Sequence, residues 1–381
     1  MTRDDRAPLI EAEARYLDYS SRDDVLGGGV KMIPIQTPKG DFKVWTQRVG
    51  NNPRTKLLLL HGGPAATHEY WEACDSYLPL AGIEYFYYDQ LGSAYSDQPD
   101  DSDLWEIDRF VDEVEQVRSA LGLNRTNFYL VGHSWGGLLA MEYALRFQQH
   151  LKGLVISNMM ASVPAYNDYA NRVLKPRMDP VAMAEIERIE ASGEFAQPRY
   201  MELLVQHHYV HHVLRMPADK WPDPVNRAFA KLNYPVYVLM QGPSELGAGG
   251  KLADWDRTDD LHRISVPTLV IGATHDTMDP KHMEMIAGRI PKGRFHLCPN
   301  GSHMAMYDDQ QTYFEGLIGF INDVETLVRV TDSCSRSRLR KRPYFSKRGL
   351  GTGLSQRVES QSGWPGGCLE VPSGVTPLLN S

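Results

Sequence analysis

The chain has 381 residues, 42% of them hydrophobic and 23% charged, enough to bury a full core in one large domain or in a domain carrying an insert. Cys74, Cys298, Cys334 and Cys368 show no C-x-x-C spacing, which excludes a disulfide-stapled module and a zinc knuckle and leaves free thiols as the expectation. The net charge of −8 is divided: from Thr331 onward eight Lys or Arg face three Asp or Glu, so the preceding 330 residues carry −13, a poor surface for nucleic acid and a suitable one for cationic substrates.

In chain order, Met1 to Asp24 is strewn with charges and lacks the apolar stretch of about 7 to 15 residues that marks a secretory signal. No apolar run approaches the roughly 20 residues that cross a bilayer, so a cytoplasmic protein with no membrane partner is expected. Residues 1–27 read as an N-terminal extension. Val30 to Gln36 and Phe42 to Val49 alternate on either side of Pro38-Lys39-Gly40, predicting an antiparallel hairpin. Apolar runs at Lys56 to Leu60, Ile83 to Tyr88, Asn127 to Val131 and Leu151 to Ser157 then read as buried parallel strands. Between them, Ile107, Phe110, Val111, Val114, Val117 and Leu121 form one helical stripe, and Leu138, Met141, Ala144 and Leu145 another.

Residues 28–160 therefore predict an α/β core with a mostly parallel central sheet flanked by helices. Residues 161–263 are rich in helix formers and read as an inserted helical cap. The core resumes over 264–328, with strands at Pro267 to Gly272 and Arg294 to Leu297 and helices near Asp279 to Ile290 and Tyr313 to Val324. The last stretch, 329–381, shifts to Ser, Gly, Arg and Pro and predicts disorder. Its run Arg336, Arg338, Arg340, Lys341, Arg342 reads as a solvated basic tail rather than a nucleic-acid patch.

The sharpest motif is Gly132-His133-Ser134-Trp135-Gly136-Gly137. A bare G-x-S-x-G is weak, but here it follows an apolar strand and precedes a helical stripe, the setting of a nucleophile elbow. A serine hydroxyl needs a base to take its proton, and the base needs a carboxylate to orient it. His303 and Asp276, each just beyond a predicted strand, supply both in the order serine, acid, histidine. Asp279 is the reserve acid and His275 a weaker reserve base. In His61-Gly62-Gly63-Pro64 the amide of Gly63 or Gly62, with that of Trp135, is expected to form an oxyanion hole. This chemistry calls for no metal and no organic cofactor. His207, His208, His211 and His212 hold two i, i+4 pairs on a predicted helix, but with no third ligand evident they read as cap histidines, not as a metal site. Tyr166, Tyr169, Tyr209, Trp221 and Trp255 are available to wall an apolar pocket.

Leu57 through Asp97, with His61-Gly62-Gly63-Pro64 and Tyr88-Asp89-Gln90-Leu91-Gly92-Ser93, together with Gly132 to Gly137, resembles the proline iminopeptidases. The resemblance runs from about Gly28 to Val324 and is closest to the subgroup that includes the tricorn-interacting aminopeptidase. It implies an α/β-hydrolase fold and a serine aminopeptidase that releases N-terminal residues, often proline, from a small peptide or aminoacyl substrate with a free amine. It also implies that acidic cap residues hold that amine, with Glu245 at one matching position. Two positions depart from the pattern: Thr277 stands where the subgroup has a second glutamate, and Ala65 where the family usually has glycine. An amidase or esterase of the same fold is therefore an alternative, and a non-catalytic binding protein of that fold a second. The oligomeric state is left open, a monomer included.

Overall fold

The structure, a computed structural model, describes residues 16–340. Eight strands form one sheet: β1 (Val30–Thr37), β2 (Gly40–Val49), β3 (Lys56–Leu60), β4 (Glu84–Asp89), β5 (Phe128–His133), β6 (Gly153–Ser157), β7 (Thr268–Ala273) and β8 (Gly293–Cys298). Their order is β1-β2-β4-β3-β5-β6-β7-β8. β1 and β2 form the expected hairpin, with Thr37 opposite Gly40, and β2 joins β4 antiparallel. Every later pairing is parallel.

Successive side chains of a strand point to opposite faces, and here both faces are covered. Leu58, Leu60, Leu130 and Ile156 pack with the helices Ile107–Ala120, Trp135–Phe147 and Pro280–Arg289, through Phe110, Val114, Leu138 and Met283 among others. Leu57, Leu59, Tyr129 and Val131 face the other way, onto Trp71 and Cys74 and onto Tyr313, Phe314 and Leu317 of the helix Gln310–Arg340. That double burial is why the central strands read as unbroken apolar runs. Each fully buried leucine contributes roughly 1.5–3 kcal/mol of transfer free energy.

Between β6 and β7 the described chain makes helices and loops, with one isolated bridge, Ser162 to Asp256. These helices have an apolar cluster of their own, including Ile186, Ile189, Tyr200, Leu204, Tyr209 and Val213. The helix Pro198–Leu204 passes through a π turn, Val205–Tyr209, into Val210–His212, a widening that is frequent at functional sites. The cap is tied to the core by ions as well as by packing. Arg227 meets Glu69 and Glu72 at 2.6 Å each, and Lys231 meets Glu69 at 2.5 Å.

The expectation of disorder from Thr331 onward is corrected over its first part, because the helix begun at Gln310 continues to Arg340. A helix already nucleated adds one backbone hydrogen bond for each further residue it fixes, so it can propagate through a stretch of unpromising composition. Lys341, Arg342 and the rest of the tail, Cys368 included, lie outside the described residues, as do residues 1–15. Cys74 and Cys298 are free and buried. Among the described residues no helix is long and apolar enough to cross a membrane.

Candidate active site

β5 ends at His133, and the helix Trp135–Phe147 starts two residues later. Ser134, between them, adopts φ 55° and ψ −127°, a strained combination for a residue with a Cβ. Its amide donates to Ser157 O at 3.0 Å, and its carbonyl accepts from Gly137 N at 2.7 Å. The first glycine of the motif serves close approach rather than unusual φ: a Cβ on Gly132 would lie 2.0 Å from Gly136 O. The strain falls on the serine itself and holds its hydroxyl out at the strand end.

Asp276 follows β7 and His303 follows β8, so parallel strand ends bring both toward Ser134. His303 Nδ1 lies 2.8 Å from Asp276 Oδ1. Asp276 is fully buried, yet its oxygens also accept from Met278 N at 3.1 Å, Thr277 Oγ1 at 3.3 Å and Asn158 Nδ2 at 2.7 Å. A carboxylate so supplied has its lone pairs satisfied. Because it can only accept from the imidazole, Nδ1 bears the proton and Nε2 is left basic. Burial presses the His303 pKa down, but the charge and hydrogen bond of Asp276 outweigh it, and the net shift is upward from 6.5. Ser134 and His303 line one cavity. Among the described contacts no hydrogen bond joins Ser134 Oγ to the ring; such bonds commonly tighten only when substrate is bound. Asp279 instead caps the helix Pro280–Arg289 by accepting from Lys281 N at 3.0 Å, and His275 lines a separate groove. Neither reserve candidate reaches the cavity.

The expected oxyanion donors divide. The Gly62 N–H donates to Tyr70 Oη at 2.6 Å, so this amide is already engaged. Gly62 matters here for its lack of a side chain, since a Cβ would sit 3.0 Å from that of Ser134. Gly63 N has no hydrogen-bond partner among the described contacts. Trp135 opens its helix, and its N–H is one of the first four that no intrahelical carbonyl can accept. Gln90 braces both sides of this arrangement: its Oε1 accepts from Trp135 Nε1 at 2.8 Å, and its Nε2 donates to His61 O at 3.1 Å.

Glu245 lines the same cavity and is held from several directions. Tyr166 Oη donates to its carbonyl at 2.7 Å, His208 Nε2 lies 3.2 Å from that carbonyl, and Tyr237 Oη donates to Oε1 at 2.6 Å. Among the described residues it is the one carboxylate on a wall otherwise made of groups such as Tyr209, Phe229, Tyr234 and Pro243. Of the five cap aromatics singled out by sequence, only Tyr209 lines this cavity. Tyr166 acts behind Glu245, while Trp255 donates to the buried Glu142 at 2.7 Å and packs in the core. Thr277 is buried beside Asp276 and His303, 3.3 Å from each, and is not on the cavity wall.

Tyr237, Asn158 and Tyr70 were not legible as site residues. Asn158 alone carried a signal, since it directly follows a parallel strand at the end where ligands bind. His207, His211, His212 and His275 line a groove with Arg177 and Arg215, and His208 is buried, its pKa pressed by burial to about 3. Among the described residues no group of three or more His, Cys, Asp or Glu is placed to hold a metal ion.

The sequence model of the alpha/beta hydrolase fold family matches residues 56–310. The proline iminopeptidase of Flavobacterium johnsoniae is 57% identical over 293 residues, 77% of this chain and 98% of that protein. That of Elizabethkingia meningoseptica is 56% identical over 297 residues, covering 77% and 99%. Among solved structures, proline iminopeptidase from Mycobacterium smegmatis superposes with a TM-score of 0.69 at 30% identity, covering 78% of this chain and 99% of its own. VinJ gives 0.71 at 29%, covering 77% and 99%.

Proposed function

Because the chain belongs to the proline iminopeptidases of the α/β-hydrolase fold, we propose that it is a serine aminopeptidase, preferring N-terminal proline, in which Ser134, His303 and Asp276 carry the chemistry. The observation that carries the assignment of roles is the buried Asp276–His303 pair at 2.8 Å, opening on the cavity that Ser134 lines.

His303 Nε2 takes the Ser134 proton as Oγ attacks the carbonyl carbon of the N-terminal residue. The oxygen of the tetrahedral intermediate gains negative charge and receives the N–H groups of Gly63 and Trp135. His303 then gives its proton to the departing peptide amine, leaving an acyl-enzyme on Ser134. A water loses a proton to the same nitrogen, attacks the ester carbonyl and releases the amino acid, while the proton returns to Ser134. Glu245, clamped by Tyr237, is the partner for the substrate's ammonium, which needs an anion once it leaves water. The apolar and aromatic wall suits a prolyl ring. We place the enzyme in the cytoplasm, acting on small peptides with a free amine.

The single carboxylate on the cavity wall favours one second reading, an esterase or amidase tolerant of substrates without an amine. Comparison of prolyl, alanyl and leucyl arylamides with neutral acyl esters separates the two. Prolyl arylamide is the expected best substrate, and Glu245→Gln is expected to lower kcat/KM on aminoacyl substrates about 10²-fold, the scale of a desolvated charge pair losing one partner, while neutral esters lose under about threefold. Equal losses on both would remove Glu245 from amine recognition. Predominant activity on amine-free esters would establish the second reading.

A further inference from the structure

The variable position of the serine motif, His133, has no part in the mechanism above, yet it is buried and hydrogen-bonded at both ring nitrogens. Nε2 lies 2.8 Å from His303 O, and Nδ1 lies 3.1 Å from Tyr70 Oη. A carbonyl only accepts, so Nε2 carries the proton. Burial, and then the neighbouring imidazole of His303, press the His133 pKa down to about 3, so the ring is neutral and Nδ1 accepts. Tyr70 must therefore aim its hydroxyl proton at His133 while a lone pair receives the Gly62 N–H. The result is a chain with one direction, Gly62 N–H to Tyr70 O–H to His133 Nδ1, and His133 Nε2–H to the His303 carbonyl.

This chain crosses the ends of β3, β5 and β8, the three strands that deliver the oxyanion loop, the nucleophile and the base. Its rings are packed together, His133 lying 5.2 Å from Tyr70 and 4.8 Å from His303 between centroids. Gly62 is fixed at its other end as well: His61 Nδ1 lies 2.9 Å from Gly62 O, while His61 Nε2 accepts from Gln90 N at 3.1 Å. Since Nε2 accepts, Nδ1 donates. With the carbonyl of the Gly62–Gly63 peptide held on one side, its N–H, the Gly63 donor, is turned to the other.

We propose that Tyr70 and His133 are positioning residues that hold the oxyanion loop and the His303 backbone at the spacing the transition state requires. The proposal rests on the serine-hydrolase reading and deepens it. It distinguishes geometry at the transition state from simple packing, because a fixed donor acts most where charge develops.

The test compares wild type with Tyr70→Phe, His133→Leu, the double variant and His133→Gln, whose amide keeps one donor and one acceptor. Readouts are kcat and KM on a prolyl arylamide and the rate of Ser134 labelling by a fluorophosphonate, which needs base and oxyanion hole but no amine. Tyr70→Phe and His133→Leu are each expected to lower kcat and labelling rate about 10- to 30-fold with KM within about twofold, the size of a misplaced oxyanion donor rather than a deleted one. The double variant should be no worse than the poorer single, since both break one chain, and His133→Gln should recover most of the loss. Multiplying losses in the double variant, a rise in KM with kcat unchanged, or no recovery with Gln while the protein remains folded would each overturn the proposal. Equal labelling rates in wild type and Tyr70→Phe would overturn it alone. A folded wild type that is not labelled would overturn the hydrolase reading with it.

Discussion

Ser134 answers two opposed demands. A residue with a Cβ at φ 55° costs of order 1–3 kcal/mol, and the proposed role of the Ser134 hydroxyl, which this backbone presents to the cavity though the residue is buried, accounts for that cost. Ser134→Ala keeps the strain and loses the nucleophile; Ser134→Gly loses both. Thermal unfolding of the two inactive variants should therefore place Ser134→Gly about 1 kcal/mol above Ser134→Ala, after the greater unfolded-chain entropy of glycine is offset. A less stable Ser134→Gly would show that the elbow is not strained. His303, the proposed base, can accept a proton only when neutral, so kcat/KM should fall on the acid side through an apparent pKa above 6.5, the direction in which Asp276 moves it against burial. Asp276→Asn removes the charge that raised it, so the acid limb should shift to lower pH while kcat falls about 10⁴-fold. An unmoved limb would break the link between the two residues. The triad candidates were legible because each stands just past a strand. Tyr70 and Tyr237 were not, because their contacts join residues whose proximity only the folded chain creates, and nothing in a lone tyrosine marks which hydroxyl will meet a buried acceptor.

At the scale of elements, the cap is docked partly through charge. Glu69 is buried, while Arg227 and Lys231 keep 34% and 37% of their side-chain surface exposed. Burial pushes the Glu69 pKa up, but Lys231, Arg227 and Thr67 outweigh it, and the net shift is downward from 4.5. A depressed carboxylate supplies stability that is present above its unfolded value and lost as pH falls through its folded one. Glu69→Gln should thus cost about 1–2 kcal/mol at pH 7, less than a fully buried pair would because its partners are partly solvated. The gap from wild type should close below about pH 4.5, followed by denaturant unfolding and by proteolysis of the cap. A constant gap across that range would assign the loss to packing. Strand and helix positions in the core were legible because burial on two faces writes continuous apolar runs and one-sided stripes. The choice between the Gly62 and Gly63 amides was left open because sequence shows that a glycine can turn its N–H toward a ligand, not that Tyr70 has already claimed one of the two. The helix to Arg340 was missed because composition reports what a segment can bury, not that a neighbouring helix will carry it on.

Taken as a molecule, the chain brings Ser134, Asp276 and His303 together from the ends of β5, β7 and β8, across 169 positions of sequence, by stacking parallel strands whose ends all open beneath one cap. Sequence alone gave the order of the three residues and the fold that would unite them. The cavity wall, and above all the clamp on Glu245, depends on how the cap helices pack, which no local pattern encodes. The three residues are proposed to act as one unit on an N-terminal aminoacyl bond. The most direct test is kcat on a prolyl arylamide for Ser134→Ala, His303→Ala and the variant lacking all three side chains. Either single change is expected to cost about as much as the triple one, on the order of 10⁴- to 10⁶-fold. Losses that multiply from single to triple, or substantial turnover surviving His303→Ala, would contradict it.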